Sequence, residues 1–127
     1  MRRGRHGRTR DHGAAAVEFA LVLPVLILLL GGIIDFGFAF NAQISLTHAA
    51  REGVRVEAIG IEGVDPVATA TNAFSAPGVS GADAQVTQSC NGGGSQAQVR
   101  ITTTYSFFLL PFGDQALEGQ AVMRCGG

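Results

Sequence analysis

The stretch Gly13-Ala14-Ala15-Ala16-Val17-Glu18-Phe19-Ala20-Leu21-Val22-Leu23-Pro24-Val25-Leu26-Ile27-Leu28-Leu29-Leu30-Gly31-Gly32-Ile33-Ile34-Asp35 decides the fold. Between Ala14 and Ile34 it carries a single charge, Glu18. As a helix rising about 1.5 Å per residue, that run covers about 30 Å, the hydrocarbon thickness of one bilayer. An ionisable group inside such a run is costly, and by default it marks a function and calls for a partner. The chain has no Lys, and no Arg between Arg10 and Arg51. No basic side chain of the stem can therefore neutralise Glu18.

Upstream, Arg2, Arg3, Arg5, Arg8 and Arg10 stand against Asp11, so residues 1–13 form a leader of net charge +4. The rest of the chain carries Arg51, Arg55, Arg100 and Arg124 against nine acids, a net −5. Basic residues flanking one end of an apolar span stay on the cytoplasmic side, which places the acidic remainder outside. A basic tail can also be a nucleic-acid arm, but its position directly before a membrane-length run disfavours that. A secretory signal peptide has a similar outline. The length of the apolar run, its interruption by Glu18 and the poor cleavage site at Gly37-Phe38-Ala39 favour a retained anchor over residues 14–35. Pro24 removes one backbone hydrogen bond inside it, which membrane helices tolerate. Asp35 closes the span, as an interface residue or as a second partner site.

Past Asp35 the helix is expected to continue as an amphipathic rod through residues 36–60. Ile33, Phe36, Phe40, Ile44, Thr47, Ala50, Val54, Ala58 and Ile61 recur at spacings of three and four and read as one apolar stripe. His48 with Glu52, and Glu52 with Arg55, are spaced for side-chain pairing on the exposed side. Gly60 to Gly63 ends the rod, and residues 61–127 are expected to form a small extracytoplasmic domain. Asp65-Pro66 reads as an N-cap followed by a first-turn proline, with Val67, Ala70 and Phe74 on the inner face of a short helix. From Asp83 the period changes to two. Ala84, Val86, Gln88 and Cys90 share one side of a first strand. Ala97, Val99, Ile101, Thr103 and Tyr105 share one side of a second. Leu117, Gly119, Ala121, Met123 and Cys125 share one side of a third, near Leu117 to Cys125. The expected class is α+β: a long helix packed on a short helix and a three-stranded antiparallel sheet.

Cys90 and Cys125 both fall in the part expected outside the cell, where two thiols in a small domain pair as a disulfide or remain as two buried thiols. The link Phe107-Phe108-Leu109-Leu110-Pro111-Phe112 is too apolar for an ordinary loop. It can cover the core end, dip into the bilayer surface or meet another subunit. Catalysis finds no support. Gly92-Gly93-Gly94 lacks the lysine and the context of a phosphate loop, and His48, the one histidine beyond the leader, has no nucleophile setting. No cofactor, metal, small-molecule substrate or nucleic acid is expected.

Gly13 through Pro24, Phe40-Asn41-Ala42-Gln43 and above all Ala49-Ala50-Arg51-Glu52-Gly53-Val54-Arg55 resemble TadE-like proteins, pseudopilin-like components of tight-adherence (Flp) pilus systems. The Val99-Arg100-Ile101 strand and Ala121-Val122-Met123-Arg124 fit the same shape less specifically. The resemblance implies cleavage between Gly13 and Ala14 by a prepilin peptidase, an integral-membrane aspartyl protease. It implies partners among other pilin or pseudopilin subunits and the pilus secretion machinery. It also implies pairing of Glu18 with the freed amine of Ala14 on a neighbouring subunit. The expected location is a bacterial cytoplasmic membrane, crossed once with the N-terminus inside, with possible entry into the pilus. A secreted or anchored binding module, using the apolar link as its contact surface, is the competing reading.

Overall fold

The computed structural model describes residues 9–91 and 95–126, with side chains from His12 onward. The arginines at positions 2, 3, 5 and 8 and the Gly92-Gly93-Gly94 stretch lie outside the described residues. One helix, α1, runs unbroken over Thr9–Ile59, 51 residues and about 75 Å, straight through Pro24. It ends at Gly60, whose positive φ of 67° takes the chain out of helical geometry. A short helix, α2, spans Pro66–Ala73. The Asp65 carboxylate accepts a hydrogen bond from the Val67 N–H at 2.9 Å, and Pro66 occupies the first turn. Strands β1 (Asp83–Gln88), β2 (Gln96–Ser106) and β3 (Asp114–Arg124) form an antiparallel meander with β2 in the centre. The α+β architecture is thus as expected.

The core lies between the outer half of α1 and one face of the sheet. Alanines dominate it: Ala49, Ala50, Ala58, Ala70, Ala84, Ala97 and Ala121 surround Leu46, Val54, Val99 and Ile101. Small side chains let backbones come close, and two glycines mark the closest approaches. A Cβ at Gly119 of β3 would sit 2.6 Å from the Leu46 carbonyl group. A Cβ at Gly53 would sit 2.8 Å from the Ala70 Cβ and 2.9 Å from the Pro66 carbonyl oxygen, where α2 crosses α1. Polar clamps reinforce both contacts. The Gln43 amide donates to the Glu118 carbonyl at 2.6 Å, and the Ser45 hydroxyl donates to the Ser75 carbonyl at 2.7 Å.

Four expectations need correction. Ala50, Val54 and Ala58 are buried as expected, but Ile33, Phe36, Phe40, Ile44 and Ile61 are exposed. The buried face runs instead through Asp35, Ala42, Leu46, Ala49 and Gly53. Up to Phe40 the helix is apolar on nearly every side, so apolar spacing alone cannot select a face; the sheet takes the side whose small residues permit close contact. Gln88 does not share the inner side of β1. The register shifts between Val86 and Gln88, which breaks the alternation and leaves Gln88 exposed. Strand β3 begins at Asp114 rather than near Leu117, and both cysteines lie just past strand ends. Finally, the ion pair among the described residues joins Arg100 and Glu118 across β2 and β3 at 3.1 Å. The helical pairs of His48, Glu52 and Arg55 do not form one.

Candidate functional site

Gly13 and Ala14 lie inside α1 on its exposed surface. A Cβ added at Gly13 would meet nothing within 4 Å, and its φ is not positive. A glycine within a helix costs about 1 kcal/mol relative to alanine, so neither backbone nor packing of this chain explains that residue. Glu18 follows Ala14 by four positions, one helical turn. It is exposed among Val17, Phe19, Leu21 and Val22, themselves exposed, and makes no ion pair among the described residues. The inner end of the stem therefore presents a small residue and an unpaired carboxylate on a surface with no fold-level use for either.

The outer end holds the second acid, Asp35, and there the arrangement is closed. Asp35 is 1% exposed. Its carboxylate accepts hydrogen bonds from the backbone N–H groups of Leu109 at 2.8 Å, Leu110 at 3.0 Å and Phe108 at 3.4 Å. The Tyr105 hydroxyl donates to the Asp35 carbonyl oxygen at 3.2 Å. Burial, with the Asp35 charge as the smaller cause, raises the Tyr105 phenol above its ordinary 10.0. The apolar link between β2 and β3 thus folds onto the stem of its own chain. Leu109 lies over Gly31, where a Cβ would come within 2.8 Å of the Leu109 Cδ1, and Leu110 lies over Gly32. Phe107 stacks edge-on against Phe36, Tyr105 and Phe112, with ring centroids 5.2–5.7 Å apart. Phe108 projects outward and is 89% exposed. The sequence reading places Asp35 at the end of the span without finding its partner. The available signal was Gly31-Gly32 one turn before the acid, a notch in an otherwise bulky helix that a second segment can fill.

Cys90 and Cys125 are joined as a disulfide with Cα atoms 5.7 Å apart. The bond ties the segment after β1 to the end of β3. Neighbouring contacts fix both to the top of α1: the Cys90 N–H donates to Glu57 at 3.4 Å, and the Gly126 N–H donates to the Ala58 carbonyl at 3.0 Å. Among the described residues no group of three or more His, Cys, Asp or Glu side chains is placed to hold a metal ion.

The Ala-Ala-Arg-Glu-Gly-Val-Arg segment, residues 49–55, now has a physical account. Ala49, Ala50, Gly53 and Val54 are the buried seat for α2 and the sheet, while Arg51, Glu52 and Arg55 face out. The family model of TadE-like proteins matches residues 13–55, from the glycine at the head of the stem to the last residue of this segment. No curated protein and no solved structure matches the chain. The likeness to TadE-like proteins thus covers 43 of the 127 residues, from the unexplained glycine through both acids to the seat of the sheet.

Proposed function

We propose that the protein is a membrane-anchored, pseudopilin-like subunit that serves assembly of a tight-adherence pilus. A prepilin peptidase matures it between Gly13 and Ala14. α1 is long and apolar enough to cross a membrane. The leader's arginines favour the cytoplasmic side for its start and the opposite side for the sheet. The observation that carries the reading is the pairing of an unexplained glycine with an unpartnered carboxylate five residues later, at the head of the TadE-like match. Cleavage after Gly13 would create an amine at Ala14 within a turn of Glu18, in the same copy or a neighbouring one. That amine is the nearest cation available to a carboxylate in lipid.

The competing reading, a module released by cleavage near Ala39, fits the geometry poorly. Ala39 is mid-helix, and a cut there would separate Asp35 from the loop it holds. The deciding experiment is N-terminal sequencing of the protein from its native membrane, alongside Gly13→Val. The expected mature terminus is Ala14, with the variant retaining its leader. A wild-type terminus at Met1 or near position 39 rules the processing out.

A further inference from the structure

The loop after β2 has features that a pilus role does not require. We infer that residues 107–112 are a second lipid-embedded element, seated in the outer leaflet against the last turn of the stem. This rests on the anchored reading of α1 and on no other part of the proposed function.

Packing forces the placement. Leu109 and Leu110 sit on Gly31 and Gly32, which lie about 6 Å below Asp35 along the helix. Any position of α1 that lays the run from Ala14 to Ile34 across a hydrocarbon core of about 30 Å carries the loop tip to the outer edge of that core. The loop's chemistry suits the location. No charged residue occurs from Ser106 to Gly113, and no arginine lies between Arg10 and Arg51 or between Arg100 and Arg124. Irregular backbone enters lipid only when its polar groups are satisfied within the protein. Here Asp35 takes the N–H groups of Phe108, Leu109 and Leu110, and Pro111 has none. An ordinary surface loop leaves those donors to water. Aromatic residues gather at the same level: Phe36, Phe38, Phe40, Tyr105, Phe107, Phe108 and Phe112, with Phe19 and Phe74 the only others in the chain. Phenylalanine is favourable within the apolar layer, and Tyr105 is of the type enriched at its boundary with water. Between loop and stem runs an open groove of about 600 Å³, lined by Leu28, Gly32, Ile33, Phe40, Leu110 and Phe112. Its apolar walls suit an acyl chain. Lipid covers Phe108 on every copy, whether or not a second protein is present.

The chain contains no Trp, so Phe108→Trp, at a site already 89% exposed, installs a single fluorophore with no core to disturb. The full chain is reconstituted in phosphatidylcholine vesicles with and without brominated acyl chains, and acrylamide probes access from water. Leu26→Trp reports the stem, and Val122→Trp, 51% exposed on β3, reports the aqueous side. The expected result is quenching of Phe108→Trp by bromines near the headgroup end, with acrylamide quenching roughly threefold or more below that of Val122→Trp. Phe112→Trp should repeat it. Acrylamide quenching equal to that of Val122→Trp, with Leu26→Trp still quenched by lipid, overturns the loop's embedding and leaves the anchor standing. Loss of lipid quenching at Leu26→Trp overturns both. Protection that grows with the protein-to-lipid ratio and ignores the bromines assigns the loop to a second copy and overturns the inference.

Discussion

At the scale of single residues, the two acids of the stem have opposite environments. Asp35 is buried, and its carboxylate gathers three backbone N–H groups, so its charge is spread over fixed dipoles. Glu18 has no such cradle. Hydrogen bonds to a charged group contribute about 1.5–3 kcal/mol each, and losing the acceptor strands its buried donors. Asp35→Ala is therefore expected to loosen the loop by about 3 kcal/mol or more. Hydrogen exchange at the Leu109 and Leu110 amides should accelerate, while exchange in β2 above Thr103 stays slow. Unchanged protection at those amides would show that the apolar contacts alone hold the loop. Tyr105 provides a pH readout of the same clasp. Its folded-state pKa is raised above 10.0, chiefly by burial. The unfolded chain therefore releases that proton first as pH rises. The stability tied to the neutral phenol is complete below about pH 10 and declines as pH climbs through the folded-state value. Tyr105 is the only tyrosine, so its absorbance reports the titration directly. In Tyr105→Phe the loss of stability as pH rises above about 10 should shrink, after an initial cost of about 1 kcal/mol for the missing hydrogen bond.

At the scale of elements, the helix and sheet meet through alanines and glycines, which bury little apolar area per residue. A core of that kind needs support from covalent or polar links. The disulfide closes a loop with a sequence separation of 35, worth roughly 3.5–4 kcal/mol in the chain-entropy treatment. Cys125→Ser should lower the stability of the sheet by up to about that amount. Thermal melts of oxidised wild type, reduced wild type and variant are the check, with the last two expected to coincide. Equal stability of all three would mean that strand pairing suffices. The same close-packed geometry explains what could be read from sequence. The Asp65-Pro66 cap, the alternation of β2 and the end of α1 at Gly60 rest on local chemistry, and each was legible. The inner face of the stem was not, because Ile33, Phe36 and Phe40 repeat as regularly as the residues that are buried. The shift between Val86 and Gln88 is a pairing event with β2 that no single-strand pattern encodes. Asp35 was legible as an acid at a boundary, but its partners are backbone amides more than 70 positions away, and amides have no residue signature.

At the scale of the whole molecule, a rod of about 75 Å carries its sheet at one end and an unpaired carboxylate near the other. The sheet, the disulfide and the clasped loop all lie beyond Gly31, so nothing at the outer end depends on Glu18. That separation makes Glu18→Ala a clean test of assembly. Removing a charge from the apolar run should favour insertion, by less than the roughly 2.5–3.5 kcal/mol of a charge at the helix centre because Glu18 lies one turn from the inner end. The fold should be untouched, because Glu18 is exposed and makes no ion pair among the described residues. If its carboxylate meets the amine of Ala14 on a neighbouring copy, the variant should be inserted, cleaved and disulfide-bonded as wild type, yet crosslink poorly to other subunits and support far fewer pili. If the pair forms within one copy, loss of the carboxylate leaves an uncompensated amine at the start of the helix. Glu18→Gln separates the effects of charge and shape: it keeps the size of the side chain and one accepting oxygen, replaces the other oxygen with an N–H donor and removes the charge, so it should fail with Glu18→Ala. Wild-type piliation and subunit crosslinking in both variants would remove Glu18 from assembly and leave the anchor, the clasp and the sheet as they are.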